Sequence, residues 1–329
     1  MGGLSLSANL MNLPDLPGLT WRALTRADLP AVLSLQAACL ELGSAAHSPV
    51  IDFERIEYAP NTLAAFDAAS RCVAYAVVFV IDALKHELRA FLEGLVHPDW
   101  RGRGIGAALL GWMQSRGCAL LDVQPNGRDR VLRVDFYERG PDAVALLEAQ
   151  GFTYNFAEDE MVFSLDWTIL PGTLPADVQI VPWSDDRARD FYTVYDNAFR
   201  TRPGFPAWSQ EVWVHNYTAN AEFRPDLSLL ALAGETPVAY ALSAVDELDG
   251  AHVGWVVQMG TRVDQRGRGL GGGLLAEVLR RFRAEGLARA YLEVNANNPA
   301  ARAVYERIGF RLVRRYTSYV KRVDGMRCP

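Results

Sequence analysis

Two glycine-rich runs flanked by arginine are the residues of this sequence best suited to bind a charged ligand. Arg101-Gly102-Arg103-Gly104-Ile105-Gly106 recurs as Arg266-Gly267-Arg268-Gly269-Leu270-Gly271, and an apolar segment with helical spacing follows each run. Glycines at a helix N-terminus uncover backbone N–H groups, which bind anions such as a pyrophosphate. We therefore expect every residue of both runs to contribute to cofactor binding, with the arginines adding positive charge.

Other interpretations of these runs have to be weighed. Gly267 to Gly272 satisfies the dinucleotide-binding pattern G-x-G-x-x-G, but that pattern belongs after the first strand of a longer βαβ domain. Only 63 residues (329 − 266) follow Arg266, which are too few for such a domain. A tight turn with solvated arginines is an alternative for either run alone. The recurrence at equivalent positions favours an anion site.

An internal repeat accounts for the recurrence. The glycine runs are offset by 165 residues (266 − 101), whereas Gly151-Phe152 matches Gly309-Phe310, and Pro141 matches Pro299, at an offset of 158. The difference of seven residues (165 − 158) predicts an insertion in the first half, around Val123 to Arg130. The sequence therefore contains two versions of one domain.

Length and composition agree with two domains. The chain has 329 residues, of which 50% are hydrophobic and 22% charged, and this suits two globular domains of roughly 150 residues each. Pro171, Gly172 and Pro175 mark a linker, with the boundary near Leu170. The predicted organisation is a flexible tail over 1–18, an N-terminal domain over 19–166, a linker over 167–176 and a C-terminal domain over 177–325.

The second half shows helical and strand patterns on both sides of its glycine run. Helices are predicted over Ala188–Ala198 and Pro299–Ile308, and strands over Leu227–Ala233, Val238–Val245, His252–Val263, Ala290–Val294 and Leu312–Val323. This order predicts an α+β fold with the glycine loop in its middle.

Charge and composition argue against several classes of partner. The net charge is −6, so nucleic acid is not an expected partner. Four scattered cysteines and five histidines show neither disulfide nor metal-ligand spacing, so we expect no disulfide and no metal. No targeting segment and no long apolar run is evident, so we expect a cytoplasmic monomer or homodimer without a membrane partner.

Three features together resemble the GNAT superfamily of N-acetyltransferases. The glycine run is followed by Asn298-Pro299-Ala300-Ala301 and by Tyr305-Glu306-Arg307-Ile308-Gly309-Phe310, as in the family pattern N-x-x-A-x-x-x-Y-x-x-x-G-F. The resemblance covers most of Gln179 to Val323 and, in the first half, Trp21 to Asp166. It implies two tandem GNAT (acyl-CoA N-acyltransferase) domains, each a mixed, mostly antiparallel sheet flanked by helices, with acetyl-CoA as the cofactor. The tandem arrangement is similar to that of mycothiol synthases, which implies an amino-sugar thiol precursor as one candidate acceptor.

The first half departs from the family pattern at two positions. Gly140 stands where the family has Asn, and Leu147 stands where it has Tyr. The resemblance therefore implies that both halves bind CoA and that the C-terminal domain alone carries catalysis.

The resemblance also implies roles for individual residues of the C-terminal domain. Tyr305 would act as the general acid that protonates the departing thiolate, although its spacing alone also fits a core aromatic. Asn298 fits a helix N-cap and in the family also reaches the cofactor. The backbone of Thr261 and Val263, with Val96 in the first half, is expected to bind the pantetheine arm and the thioester carbonyl.

The implied reaction is a direct attack of a small-molecule primary amine on the acetyl thioester. The proton acceptor is left open between water and several carboxylates, namely Glu293, Asp246, Glu247 and Asp249. Four residues after the first helix, Trp208, Trp213, His215 and Tyr217, either shape the acceptor pocket or pack in the core. The alternative functions are a non-catalytic acyl-CoA sensor or scaffold and protein N-acetylation.

Overall fold

The computed structural model divides into two compact units. It describes residues 16–41, 58–81, 87–124, 127–137, 141–169, 172, 174–202, 205, 207–248 and 250–323. One unit comprises Met1–Ala157 with Tyr316–Pro329, and the other comprises Glu158–Arg315. Most of the predicted tail lies outside the described residues, as do Gly140, Leu170 and Asp249.

The first unit is a mixed sheet flanked by helices. Its strands are β1 (Thr20–Arg22), β2 (Thr62–Phe66), β3 (Cys72–Ile81), β4 (Glu87–Val96) and β5 (Asp129–Tyr137). Its helices are α1 (Leu29–Glu41), α2 (Tyr58–Asn61), α3 (Ile105–Asp122) and α4 (Pro141–Ala149). The strands follow the order of the chain, and β4 and β5 form the parallel pair of this unit.

The second unit repeats this arrangement. Its strands are β6 (Thr153–Ser164), β7 (Val178–Pro182), β8 (Leu229–Ala233), β9 (Thr236–Leu248), β10 (Ala251–Thr261) and β11 (Arg289–Asn295). Its helices are α5 (Ala188–Phe199), α6 (Gln210–Thr218), α7 (Leu270–Ala284) and α8 (Pro299–Ile308). The sheet order is β6-β11-β10-β9-β8-β7, in which β10 and β11 run parallel and their neighbours antiparallel. The α+β class that the sequence predicts is confirmed.

The last strand, β12 (Arg311–Arg322), and β6 each contribute to both units. In the first unit, Tyr316 to Arg322 of β12 pair with β5. In the second unit, Glu158 to Ser164 of β6 pair with β11. Each of the two strands is 12 residues long, so it extends beyond the unit in which it begins. The boundaries of the two contact units therefore fall inside these two strands. The predicted domain bounds of 19–166 and 177–325 stay a prediction.

Two apolar clusters form the core of the second unit. One contains the buried faces of α7 and α8 and includes Leu270, Leu274 and Phe310. The other is rich in aromatic rings and centres on Trp213, which is 0% exposed and stacks on Tyr195 at a centroid distance of 5.1 Å. Of the two interpretations of the Trp208–Tyr217 aromatic group, the structure supports core packing for Trp213.

The cysteines require a correction. Cys39 and Cys72 are free thiols in the first unit, but Cys118 is disulfide-bonded, which the sequence analysis did not expect. The prediction rested on the spacing of cysteines along the chain, and that spacing carries no information about which thiols folding brings together.

Candidate functional site

The two glycine loops have the same backbone conformation. Gly267 and Gly269 have φ angles of 81° and 78°, and Gly102 and Gly104 have φ angles of 72° and 79°. Only glycine adopts this left-handed region at little cost. The second glycine of each pair is the N-cap of the following helix, α7 or α3. The recurrence in the sequence therefore reproduces one local structure twice.

Each loop presents the free N-terminal N–H groups of a helix. In the second unit the N–H of Gly273 donates to the carbonyl of Gly269 at 2.9 Å, and in the first unit Ala108 donates to Gly104 at 3.1 Å. The N–H groups that precede these donors lie before the first helical hydrogen bond, where an anion can accept from them. A Cβ atom added at Gly267 would meet nothing within 4 Å, so the loop is open on its outer side.

The first arginine of each loop binds backbone carbonyls of its own unit. Arg266 donates to the carbonyl of Thr261 at 3.4 Å and to that of Ala198 at 3.0 Å. Arg101 likewise donates to the carbonyl of Val96 at 3.2 Å. Both guanidinium groups therefore tie the loop to the end of the preceding strand.

The second arginine of each loop contacts residues that lie before the glycine run in the sequence. Arg268 donates to Gln265 at 2.6 Å and forms an exposed ion pair with Asp177 at 3.2 Å. Arg103 lies over the ring of Trp100 at 4.6 Å and donates to the carbonyl of Asp99. Cofactor binding by these arginines stays a prediction.

A gap opens between the parallel strands beside each loop. β10 and β11 pair from Val253 with Arg289 to Val256 with Leu292. Beyond this point β10 continues along β9 as far as Thr261, while β11 continues along β6. A register shift between Val256 and Gln258 marks the place where the strands part. In the first unit, β4 and β5 pair only as far as Phe91 with Arg133.

The two residues predicted to bind the cofactor at the end of β10 lie beside the loop. Thr261 is the last residue of the strand, and its hydroxyl lies 3.6 Å from where a Cβ of Gly271 would be. Val263 is 49% exposed, and its N–H donates to the side chain of Asn197 at 2.9 Å. This N–H is therefore engaged by α5, a contact that the sequence analysis missed because Asn197 lies 66 residues earlier.

Asn298 and Tyr305 occupy the start and the buried face of α8. The Asn298 side chain accepts from the N–H of Ala301 at 3.2 Å, which is the predicted N-cap. Tyr305 is 9% exposed and belongs to the same buried cluster as Leu270 and Val294. Burial raises the pKa of its phenol to about 12. Its hydroxyl makes no hydrogen bond to any residue that the structure describes.

The first unit has no phenol at the corresponding helix position. Leu147 of α4 takes the place of Tyr305 and is buried in the core of the unit. An apolar side chain neither donates nor accepts a proton. The departure noted in the sequence therefore removes the only side-chain acid that the resemblance implies at this position.

A cleft of about 240 Å³ lies on the second unit next to the parting strands. Its lining includes Trp255 and Val257 of β10 and Glu293 of β11. It also includes Glu222 and Asp246, and both are exposed carboxylates. Three carboxylates around one ring make a binding surface for a cation.

The sequence analysis missed Gln258, which follows the register shift in β10. Its side-chain oxygen accepts from the indole N–H of Trp213 at 3.0 Å and from the hydroxyl of Tyr240 at 2.6 Å. An indole N–H only donates, so this contact fixes the orientation of the amide. No pattern in the sequence links residues that are 45 positions apart.

The chain matches the description "Acetyltransferase (GNAT) family" over residues 29–140 and 183–310. It is 32% identical over 230 residues to a mycothiol acetyltransferase of Saccharopolyspora erythraea, covering 66% of this chain and 72% of the relative. It is 30% identical over 270 residues to a mycothiol acetyltransferase of Frankia casuarinae, covering 76% of this chain and 72% of the relative.

Solved structures share the fold over nearly the whole chain. A GCN5-related N-acetyltransferase from Sphaerobacter thermophilus has a TM-score of 0.77 at 25% identity, covering 94% of this chain and 96% of that one. A tandem GNAT protein from the clavulanic acid biosynthesis pathway has a TM-score of 0.66 at 20% identity, covering 92% and 98%. Among the described residues, no helix is both long and apolar enough to span a membrane.

Proposed function

Because the chain belongs to the GNAT family of acetyltransferases, we propose that its second unit transfers an acetyl group from acetyl-CoA to the primary amine of a small molecule. The observation that carries this proposal is the coincidence of three features in one unit. A glycine loop, a parting of parallel strands and a buried phenol occur together in this unit. The names of the relatives make an amino-sugar thiol precursor of mycothiol the first acceptor to test.

The loop at the start of α7 would hold the pyrophosphate of the cofactor. Its open outer side and the N–H groups of Leu270, Gly271 and Gly272 suit a doubly charged group. The gap between β10 and β11 would receive the pantetheine arm, with Thr261 at its edge. When bound, acetyl-CoA supplies an activated carbonyl carbon and a thiolate leaving group.

Tyr305 would donate a proton to the leaving thiolate. The amine forms a bond to the carbonyl carbon, the carbon–sulfur bond breaks, and the sulfur takes the electron pair. With a pKa of about 12, the phenol of Tyr305 keeps its proton at neutral pH and can donate it toward the sulfur as negative charge develops. A buried hydrogen-bond donor is worth more than a solvated one because little water screens it.

Glu293 would orient the incoming amine and accept its proton. It lies on β11 just beyond the last residue paired with β10, and it lines the cleft. Its carboxylate can orient the ammonium and take up the proton that the amine loses. Asp246 also lines the cleft but lies on β9, two residues from the partner of Trp255, and is therefore farther from the gap.

Matched loop variants test which unit transfers the acetyl group. Gly269→Asp and Gly104→Asp introduce the same carboxylate at the same left-handed backbone conformation. Any side chain strains the backbone there by roughly 1–2 kcal/mol, and the negative charge of Asp repels phosphate. We expect Gly269→Asp to abolish transfer and Gly104→Asp to retain it. Release of CoA from acetyl-CoA, separated by chromatography, measures the outcome. An amino-sugar thiol precursor of mycothiol is the first acceptor, and glucosamine, spermidine and cadaverine are further acceptors.

Circular dichroism melting of both variants checks that each remains folded. Loss of transfer in Gly104→Asp with retention in Gly269→Asp would assign catalysis to the first unit. Cofactor binding without transfer to any amine would support the sensor or scaffold alternative.

A further inference from the structure

The side-chain amide of Gln258 is held in one orientation by two hydrogen bonds to its oxygen. That oxygen accepts from the indole N–H of Trp213 at 3.0 Å and from the hydroxyl of Tyr240 at 2.6 Å. Both donors lie in the aromatic core of the second unit, and both residues are 0% exposed. Because the amide is planar, its NH2 group is turned away from these two donors. The core therefore fixes the direction of the two N–H groups of Gln258.

These two N–H groups are open to a ligand. The side-chain nitrogen of Gln258 makes no hydrogen bond within the part of the chain that the structure describes. The residue is half-buried, and its nitrogen is not one of the fully buried polar atoms, so a ligand can reach it. The two hydrogen bonds to the oxygen also polarise the amide, which strengthens its N–H groups as donors. A donor that the protein orients and leaves open is suited to stabilise developing negative charge.

Gln258 lies at the start of the gap proposed to receive the pantetheine arm. The last parallel pair joins Val256 to Leu292, and the register shift follows directly. Thr261, at the edge of the glycine loop, is three residues further along β10, a distance of about 10 Å at about 3.3 Å per residue. An arm that starts at the loop and follows β10 back along the gap therefore brings its thioester toward Gln258.

Two backbone donors just beyond Thr261 already have partners. The N–H of Arg262 donates to the carbonyl of Val238 at 3.0 Å, and that of Val263 donates to the side chain of Asn197 at 2.9 Å. The sequence analysis expected the backbone of Val263 to bind the arm and the thioester carbonyl. Since that N–H is engaged, the open N–H groups of Gln258 are better placed to donate to the carbonyl.

The first unit carries a carboxylate at the corresponding position. Glu93 stands two residues beyond Phe91, the last residue of β4 that pairs with β5, just as Gln258 stands two residues beyond Val256. The offset of 165 residues (258 − 93) equals that of the two glycine runs. Glutamate and glutamine have the same shape, but an ionised carboxylate only accepts hydrogen bonds. The unit without a counterpart of the Tyr305 phenol therefore also lacks the amide donor.

We propose that Gln258 is a catalytic residue of the second unit and donates a hydrogen bond to the carbonyl oxygen of the acetyl thioester. This inference rests on the proposed function. The N–H of Gln258 stabilises the negative charge that develops on this oxygen while the amine bonds to the carbonyl carbon. The charge moves to the sulfur as the carbon–sulfur bond breaks, and Tyr305 donates its proton there. Trp213 and Tyr240 are positioning residues, because they act through the amide of Gln258.

Infrared spectroscopy of acetyl-CoA that is isotope-labelled at the carbonyl carbon tests this contact without turnover. A hydrogen bond to a carbonyl lowers its stretching frequency, so we expect the frequency to fall when acetyl-CoA binds the full-length protein. Gln258→Glu keeps both accepted hydrogen bonds but has no N–H, and it should lose most of this fall. Gln258→Met tests the same loss without an added charge. A difference spectrum between wild type and variant cancels any signal from the first unit.

Steady-state kinetics and calorimetry distinguish this role from a structural one. With the acceptor that the wild-type protein uses best, both Gln258 variants should lower kcat by about 10²- to 10³-fold, the loss typical of one oxyanion donor. Affinity for CoA, which has no acetyl carbonyl, should stay within about twofold. Tyr240→Phe should lower kcat by a smaller factor, since the indole of Trp213 still holds the amide oxygen. Gln179→Glu makes the same chemical change at an exposed position of β7 and should change nothing.

Circular dichroism melting checks that each variant is folded, and Gln258→Glu is the variant that preserves the contacts of the core. A carbonyl frequency that is the same in the wild-type protein and in both Gln258 variants would overturn the proposal. A kcat that stays near the wild-type value, or a loss of CoA affinity as large as the loss of kcat, would do the same. Failure of the wild-type protein to bind acetyl-CoA would instead contradict the proposed function, and this inference with it.

Discussion

At the scale of single residues, Tyr305 has two interpretations, one as a core aromatic and one as a general acid. Its position on the apolar stripe of α8 accounts fully for its burial among Leu270, Val294 and Phe310. The same burial raises the pKa of the phenol to about 12, so that the proton is retained at neutral pH. A hydroxyl without a hydrogen-bond partner among the described residues is available to a departing sulfur.

The substitution Tyr305→Phe removes this hydroxyl and keeps the ring. We expect turnover to fall by about 10²- to 10⁴-fold, because a positioned general acid contributes in that range. CoA affinity should stay within about twofold, since the loop and the gap are unchanged. Steady-state kinetics and calorimetric titration with CoA measure both quantities.

Tyr319→Phe provides the matched control, because Tyr319 is also buried but belongs to the core of the first unit. It should leave turnover unchanged. Turnover near the wild-type value in Tyr305→Phe would falsify the general-acid role and leave Tyr305 as a core aromatic.

At the scale of elements, the repeated loop and helix predict a repeated binding site. Both loops place two glycines at φ angles near +75° ahead of a helix and are tied to the preceding strand by an arginine. The first unit lacks the phenol but keeps the anion-binding backbone. We therefore predict that the first unit binds CoA without catalysing transfer.

Calorimetric titration with CoA should find two sites per chain. Gly104→Asp and Gly269→Asp should each remove one of them, because a carboxylate at the helix N-terminus repels the pyrophosphate. A single site that only Gly269→Asp removes would show that the loop of the first unit is structural alone.

At the scale of the whole molecule, buried tyrosines make stability sensitive to alkaline pH. Burial raises the pKa of Tyr305 and of Tyr217 to about 12, and that of Tyr240 well above its usual value. In the unfolded chain these phenols ionise near pH 10. A phenol whose pKa is raised by folding makes its full contribution to the free energy of unfolding below pH 10. This contribution is lost as the pH rises toward 12.

We expect the free energy of unfolding to be steady between pH 8 and pH 9 and to fall above pH 10. Tyr305 alone should account for about 2 to 3 kcal/mol of this loss by pH 12. Urea denaturation at a series of pH values measures the fall, and tyrosinate absorbance follows ionisation in the folded state. A midpoint that does not change up to pH 11.5 would contradict the prediction.

Features set by neighbouring residues were determined by the sequence. The glycine spacing fixed both loops, because left-handed backbone is a property of the glycine itself. Asn298-Pro299 and Gly309 fixed the helix Pro299–Ile308, which is observed with the predicted bounds, because capping acts within one turn. The tandem GNAT fold followed from the repeat of these local signals, and it is confirmed.

Contacts between distant residues were decided only by the tertiary structure. Arg133 binds Tyr316, which is 183 residues away, because Tyr316 to Arg322 of β12 pair with β5. The sequence predicted a strand over Leu312–Val323 but carried no signal for its partner, since strand register depends on the whole sheet. The cleft around Trp255 arises in the same way, from three strands and the loop that carries Glu222. The sequence therefore determined where the cofactor is expected, and folding decided which carboxylates line the cleft.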